Sequence, residues 1–405
     1  MIAFDIIEVT LLGAALVIGG YLVALTVLAS RAPTEHRFAT RKQRQFAFVI
    51  PAHNEETGIG ATVASVLSVE YPRPHFDVIV IADNCTDGTA RLAREAGATV
   101  LERHDSSARG KGYALRWGFD LLTGGRTPYD AFVVIDADSV VTPNYLVVLN
   151  WYLEKGALAV QTSDLVAPGN EGWNAQMTRI GFLLYNYVRP LGRTALMGSA
   201  GLRGNGMCFA TELLARVPWK AYSVAEDLEY GLQLLLEDIR VAFAREAGVF
   251  AVMPVDARNA VGQRARWEGG RLGLIRRYAP PLARRFFAAP SLAYLDASLD
   301  LLTPALVNLI GSCFLAALLT SVLLWFGIPR AGVYASLWLV VSAMGCGHLI
   351  AGLIIAQADR SVYRALAHIP RYAFWKIGVY MRMPGRWSKH VWTRTTREAR
   401  RDILP

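Results

Sequence analysis

The chain is predicted to be an α/β protein, built on a mainly parallel sheet and tied to a membrane by transmembrane and interfacial helices. Three observations predict this. Apolar, β-branched runs alternate with helical segments from Phe46 to Ile135, which is the rhythm of βαβ units. The clearest of these runs, Phe132-Val133-Val134-Ile135, ends abruptly in Asp136-Ala137-Asp138, as a buried parallel strand does when it delivers acids to the carboxyl edge of a sheet. Three uncharged stretches, 9–30, 301–329 and 331–358, are each long enough to cross a hydrocarbon core of roughly 30 Å as a helix.

Composition narrows the class. Of 405 residues 53% are apolar, high for a protein wholly in water, so part of the chain belongs in lipid. The net charge of +9 is spread beside apolar spans and suits an anionic lipid leaflet, which argues against a nucleic-acid partner. Cys85, Cys208, Cys313 and Cys346 have no paired spacing, so neither a disulfide framework nor a zinc site is indicated.

In chain order, the first span lacks the basic flank of a cleaved signal peptide, and its apolar run is too long for one. The segment from Arg31 to Arg44 holds five basic residues and one acid, which predicts a cytoplasmic segment and an N-terminus outside. Phe46–Ile50 reads as a strand closed by Pro51, 55–70 as a helix, and Val78–Ala82 as a second buried strand ending at Asp83. A helix over 88–96, a strand over 99–101, a helix after Lys111 and the strand into Asp136 continue the alternation. No Gly-x-Gly-x-x-Gly or Walker-type loop follows the first strand, which argues against a dinucleotide or P-loop reading. Residues 201–209 are too glycine-rich for a regular element and read as the loop under an acceptor, and Ala225-Glu226-Asp227 opens a helix, with its acids at the positive end. Arg266 and Trp267 begin an arginine-rich stretch suited to an interfacial helix. The two later spans read as a hairpin turning at Arg330, in which Asn308 and His348 are packing or hydrogen-bonding residues. After Asp359 the chain is basic and aromatic, with Tyr372, Trp375, Trp387 and Trp392, which fits an interface-lying tail and not a fourth span. The resulting organisation is 1–45 span and basic linker, 46–262 cytoplasmic catalytic domain, 263–300 interfacial helices, 301–358 hairpin and 359–405 tail.

Asp136 and Asp138 project differently from the strand end. One can hold a hard divalent ion while the other orients water or a substrate hydroxyl; alternatively, both merely cap a turn before Pro143. Arg109-Gly110-Lys111-Gly112 is a loop in which glycines admit a close ligand and Lys111 offers a compact positive charge for phosphate, or else an ordinary basic loop opening a helix.

Five motifs in order carry a resemblance. Val49-Ile50-Pro51-Ala52-His53-Asn54-Glu55-Glu56, Ile81-Ala82-Asp83-Asn84-Cys85-Thr86-Asp87-Gly88-Thr89, Asp136-Ala137-Asp138, Ala225-Glu226-Asp227 and Gln263-Arg264-Ala265-Arg266-Trp267 together resemble the membrane-integrated family 2 inverting glycosyltransferases of GT-A fold, such as cellulose, chitin and hyaluronan synthases. The resemblance covers roughly 46–275. It implies that Ala52, His53, Glu55 and Asp83 form the base and ribose pocket, with Asp83 accepting from a uracil. It implies that Lys111 and Arg266 meet the diphosphate, that Asp138 and Asp136 hold Mg²⁺ or Mn²⁺, and that Gln263 and Trp267 complete the substrate site, Trp267 offering a face for a sugar ring. Asp227 becomes the general base, its basicity raised by Glu226. Ala52 and Ala82 depart from the common pattern and leave the nucleotide open.

The expectation is an inverting, metal-dependent transferase in the inner (plasma) membrane, taking a nucleotide-sugar, foremost a UDP-sugar. Its acceptor would be a growing polysaccharide, with a glycolipid or lipid-linked acceptor as the alternative. Membrane lipids surround it, and three spans are few for a polymer channel, so export calls for an oligomer or an accessory protein. A catalytically inactive sugar-nucleotide-binding module is the non-enzyme alternative, against which intact Asp136, Asp138, Asp227 and Arg266 speak.

Overall fold

The structure is a computed structural model and describes residues 2–381 except 36, 126–127, 169–171, 252 and 254–256. The tail aromatics Trp387 and Trp392 lie outside the described residues.

Among the described residues eight strands form one sheet: β1 (Phe46–Ala52), β2 (Phe76–Asp83), β3 (Thr99–Arg103), β4 (Ala131–Val134), β5 (Ser139–Val141), β6 (Ala159–Val166), β7 (Met207–Ala210) and β8 (Val241–Ala251). Their order is β3-β2-β1-β4-β7-β6-β8-β5. Every residue of β1 and β4 is buried, because helices cover both faces, and this is why these strands are apolar throughout instead of alternating. Four of the seven pairings are parallel, so the sheet is mainly parallel as expected. The antiparallel insertion of β7 between β4 and β6 corrects the reading of 201–209 as a loop to its end. The glycines stop at Gly206, and Met207-Cys208-Phe209-Ala210 is an apolar run that pairs with β4 and β6.

That topology decides where the chemistry gathers. β2, β4 and β6 run the same way and their carboxyl ends share one edge, so Asp83, Asp136 and Asp164 lie along it. β7 runs the opposite way and begins there, Met207 opposite Val134. The segment that feeds β7 therefore passes beside Asp136.

Other boundaries move for local reasons. The helix expected over 55–70 is Ile59–Leu67, since Asn54 adopts φ 57° and the Gly58 N–H closes a turn on the Glu55 carbonyl. The first span runs from Ile2 to Ser30, starting before Glu8. Asp5 and Glu8 tolerate this because Asp5 accepts from Arg330 at 3.0 Å and Tyr334 at 2.8 Å, and Glu8 accepts from Trp338 at 2.8 Å. The second begins at Leu306 and not at 301, because Pro304 holds Thr303 extended and ends the preceding helix Leu292–Leu302. With Ala331–Ile355 this makes three helices, among the described residues, long and apolar enough to cross a membrane. Asn308 donates to Tyr380 at 2.5 Å and His348 shares a hydrogen bond with Thr26 at 2.7 Å, as expected of polar residues between helices. One helix, Ala257–Ala288, carries Gln263, Arg266 and Trp267 along the junction of sheet and spans.

Candidate active site

Lys111, the first residue of helix Lys111–Thr123, is the hub. Its Nζ donates to Asp136 Oδ1 at 2.5 Å and to the Gly204 carbonyl at 2.5 Å, and lies 3.8 Å from Glu226 Oε1. Burial alone would lower its pKa, but Asp136 and Glu226 outweigh that and hold it raised and charged. Two glycines permit this convergence. A Cβ on Gly112 would stand 2.2 Å from the Ala221 carbonyl, so only glycine lets the segment leading to Glu226 close onto the helix; Gly204, at φ 85°, turns the chain beside the Asp227 carboxylate.

Glu226 and Asp227 occupy the first turn of helix Glu226–Leu236. Burial is the main cause that raises both carboxyls; Lys111 opposes it, and the neighbouring Asp227 pushes Glu226 further, to about 7. Arg203 adds a second opposing charge near Asp227.

The expected residues fall into two groups. Glu55, Lys111, Asp136, Asp138, Glu226, Asp227, Gln263, Arg266 and Trp267 all line one cavity of about 760 Å³. Arg266 is near enough to Glu226 for that acid to offset part of the lowering that burial imposes on the guanidinium. Trp267, 37% exposed, leans on Phe182 with ring centroids 5.7 Å apart. Ala52, His53 and Asp83 are not on that wall and sit at the ends of β1 and β2. There the His53 Nδ1–H donates to the Asp83 carbonyl at 2.7 Å, and Arg103 donates to Asp83 Oδ1 at 2.6 Å. Asp83 Oδ2 is buried and has no partner among the described residues. Such an acceptor suits a donor that a ligand would bring.

Among the described residues no group of three His, Cys, Asp or Glu side chains is arranged to close around an ion. The carboxylates placed for such a role are Asp136 and Asp138 at the end of β4, two hard oxygen ligands with the Asp136 side chain 40% exposed and bonded to Lys111. That donor set fits Mg²⁺ or Mn²⁺ completed by water and phosphate oxygens.

Several residues of this site were not read from the sequence. Asp164 is buried, its carboxyl pushed well up by burial and then by Asp136, and it accepts from Asn186 at 3.0 Å and Asn205 at 3.4 Å. Asn205 also receives the Asp136 N–H at 3.0 Å, and Gln161 fastens the glycine loop through the Arg203 N–H at 2.8 Å and the Asn205 carbonyl at 2.7 Å. The available signal was Gln161 and Asp164 inside an otherwise strand-like run, polar groups that a buried strand retains only when they are partnered.

The cavity does not end at the acids. It continues to Leu306, Val307, Ile310 and Phe314 of the second span, Leu349 of the third, and Ile369 of the tail.

Comparison with known proteins gives three findings. The family model described as glycosyltransferase like family 2 matches residues 43–270, more than half of the chain. The chain is 30% identical over 239 residues to a beta-monoglucosyldiacylglycerol synthase of Nostoc sp., covering 55% of this chain and 48% of that protein. It is 34% identical over 158 residues to a 4,4'-diaponeurosporenoate glycosyltransferase of Staphylococcus aureus, covering 37% of this chain and 41% of that one. The chain thus spans about half the length of these relatives or less. Among solved structures it is similar to the mannosyltransferase PcManGT of Pyrobaculum calidifontis, solved with GDP-Man and Mn²⁺, with a TM-score of 0.50, 17% identity, and coverage of 86% of this chain and 99% of that one. That likeness speaks for the fold.

Proposed function

The chain belongs to the glycosyltransferase like family 2, with a GT-A-like sheet and three candidate membrane spans, and we propose that it transfers a sugar, with inversion, from a nucleotide-sugar to a hydroxyl of a lipid acceptor. The observation that carries the lipid over the polysaccharide acceptor is the cavity that joins Asp227 to the apolar surfaces of Leu306, Ile310 and Phe314. Relatives named for glucosyldiacylglycerol and diaponeurosporenoate point the same way. A growing polysaccharide is the second reading, favoured by Gln263, Arg266 and Trp267 in the spacing of the polymer synthases.

In this reading 46–262 is the catalytic domain, at the cytoplasmic side of the plasma membrane. Ala52, His53, Glu55 and Asp83 receive the nucleoside, and the unpartnered Asp83 Oδ2 accepts from the base, with UDP as the expected nucleotide. Asp138 and Asp136 would hold Mg²⁺ or Mn²⁺, which supplies charge neutralisation at the diphosphate. Lys111 and Arg266 face the same phosphate oxygens, Arg266 with a planar fork. Asp227 takes the acceptor proton as the new C–O bond forms at the anomeric carbon and the bond to the diphosphate breaks on the opposite face. Gln263 and Trp267 bound the sugar.

The test is transfer from labelled UDP-glucose, UDP-galactose and GDP-mannose by the purified full chain, offered diacylglycerol, phospholipid and oligosaccharide acceptors in turn. Label should enter the lipid fraction with inverted configuration. Incorporation only into oligosaccharide selects the polymer reading, and nucleotide-sugar binding without turnover selects an inactive binding module.

A further inference from the structure

Beyond the acids the cavity wall carries a second charged centre, whose residues have no part in the mechanism above. Tyr185, Arg189, Arg203 and Arg271 all face the cavity. The three guanidiniums surround the Tyr185 ring, at 5.3, 4.1 and 5.9 Å from its centroid. Arg193 stands behind them, bonded to Asp296 and Asp300 at 2.9 Å each. Four arginines thus face two aspartates, and counting Asp227, which also feels Arg203, leaves a positive charge uncompensated. Burial would raise Asp300, yet Arg193, Arg203, Arg271 and Arg189 hold it below the ordinary carboxylate range.

The donors are not used up. Arg189 and Arg203 are 3% and 8% exposed. Arg189 Nε and both Nε and Nη1 of Arg203 lack a hydrogen-bond partner among the described residues, and Arg189 Nη1 stays 3.7 Å from Asp300, too far for a hydrogen bond. Buried, unpartnered, surplus guanidinium beside a cavity is costly for the protein alone and favourable with an anion present. The position identifies which anion. Arg203 adjoins Gly204, where a Cβ would stand 3.1 Å from Asp227 Oδ2, so one side of the cluster borders the base. Arg271 bonds the Asp300 and Leu301 carbonyls just ahead of the second span, so the other side borders the apolar wall.

We propose that this cluster is a phosphate subsite for the acceptor, and that the acceptor is a phospholipid whose headgroup carries a free hydroxyl. Its phosphate sits among Arg189, Arg203 and Arg271, its hydroxyl reaches Asp227, and its chains follow Leu306, Ile310 and Phe314. The donor diphosphate, the other phosphate available to the site, is already met by Lys111 and Arg266. The inference rests on the lipid-acceptor reading and narrows it.

The test titrates the purified full chain, in uncharged detergent, with dihexanoylphosphatidylglycerol, with dihexanoylglycerol, and with UDP and GDP. The phospholipid should bind roughly tenfold or more tighter than the matched diacylglycerol, as charge-assisted contacts require. Arg189→Gln and Arg271→Gln should each remove most of that preference while nucleotide affinity stays unchanged. Equal binding of the two lipids overturns the phosphate subsite and leaves the lipid reading standing; binding of neither overturns the lipid reading itself. Loss of nucleotide affinity in both variants reassigns the cluster to the donor diphosphate. If a variant fails to fold, the comparison of the two lipids on the unaltered chain decides alone.

Discussion

Glu226 and Asp227 share one helical turn and one cation, and that sharing gives their chemistry a pH signature. Burial raises both carboxyls, Glu226 to about 7, and a general base works only when deprotonated. With Asp227 as the proposed base, turnover should therefore fall as pH drops, and the fall should begin above the ordinary carboxylate range because burial raises that carboxyl. For stability the sign is opposite: a carboxyl raised on folding favours the folded state at low pH, and that contribution is lost as pH rises through its folded value. Asp227→Asn keeps the shape and removes the base, so the maximal rate should fall by roughly 10² to 10⁴ with donor affinity little changed. Glu226→Gln should instead keep turnover at pH 8 within about tenfold and move the acid limb to lower pH, because a like charge has been removed. The opposite pattern, with Asp227→Asn active and Glu226→Gln dead, would exchange their roles. At Asp138, substitution by Ala should reduce turnover to background at saturating Mg²⁺ or Mn²⁺ and leave the circular dichroism spectrum unchanged. Near-normal activity of that variant in chelator would remove metal assistance from the mechanism.

At the scale of elements, the site depends on how closely helix Lys111–Thr123 meets the segment ahead of Glu226. Gly112→Val would drive a side chain into the Ala221 carbonyl, a backbone atom that cannot swing aside. It should lower stability by about 1–3 kcal/mol in thermal melting; Gly60→Ala, with nothing within 4 Å of the new Cβ, serves as the neutral control. The same elements explain what the sequence could tell. β1, β2 and β4 were legible because burial on both faces makes each a continuous apolar run, and the acids closing β2 and β4 stood out against it. β5 is three residues long, too short to leave a pattern, and β7 was masked by the glycines before it. Asp164 and Gln161 were missed for a different reason. Their meaning lies in contacts between β6 and a loop some forty residues later, and only pairing across β7 creates those contacts. The arginine cluster was illegible likewise, since Arg189, Arg203 and Arg271 meet over Tyr185 from three separate segments.

On the scale of the whole molecule, the geometry reduces the membrane orientation to a single choice. The tail is pinned to the catalytic body, Asp359 to Arg179 at 2.5 Å, and to the helix that follows it, Lys376 to Glu268 at 2.7 Å, and the linker is pinned to the body too, the Arg41 N–H to Glu154 at 2.9 Å. The opposite end gathers the start of the first span with the turn between the other two, through Asp5, Arg330 and Tyr334. Catalytic body, linker and the described part of the tail therefore share one side, and the start of the first span and the 326–330 turn share the other. The choice between the sides falls to charge. The linker and tail are strongly basic, while the far end offers Arg330 already paired with Asp5, so the positive-inside tendency predicts a body on the cytoplasmic side, where nucleotide-sugars are made. Cysteines introduced as Pro329→Cys and Arg41→Cys, both at exposed positions, read this out directly in a background with the four native cysteines replaced. A membrane-impermeant thiol reagent added to intact cells should label position 329 and reach position 41 only after the membrane is opened. Labelling of 41 in intact cells, with 329 silent, would put Asp136, Lys111 and Asp227 on the outer face and deprive the proposed reaction of its cytoplasmic donor.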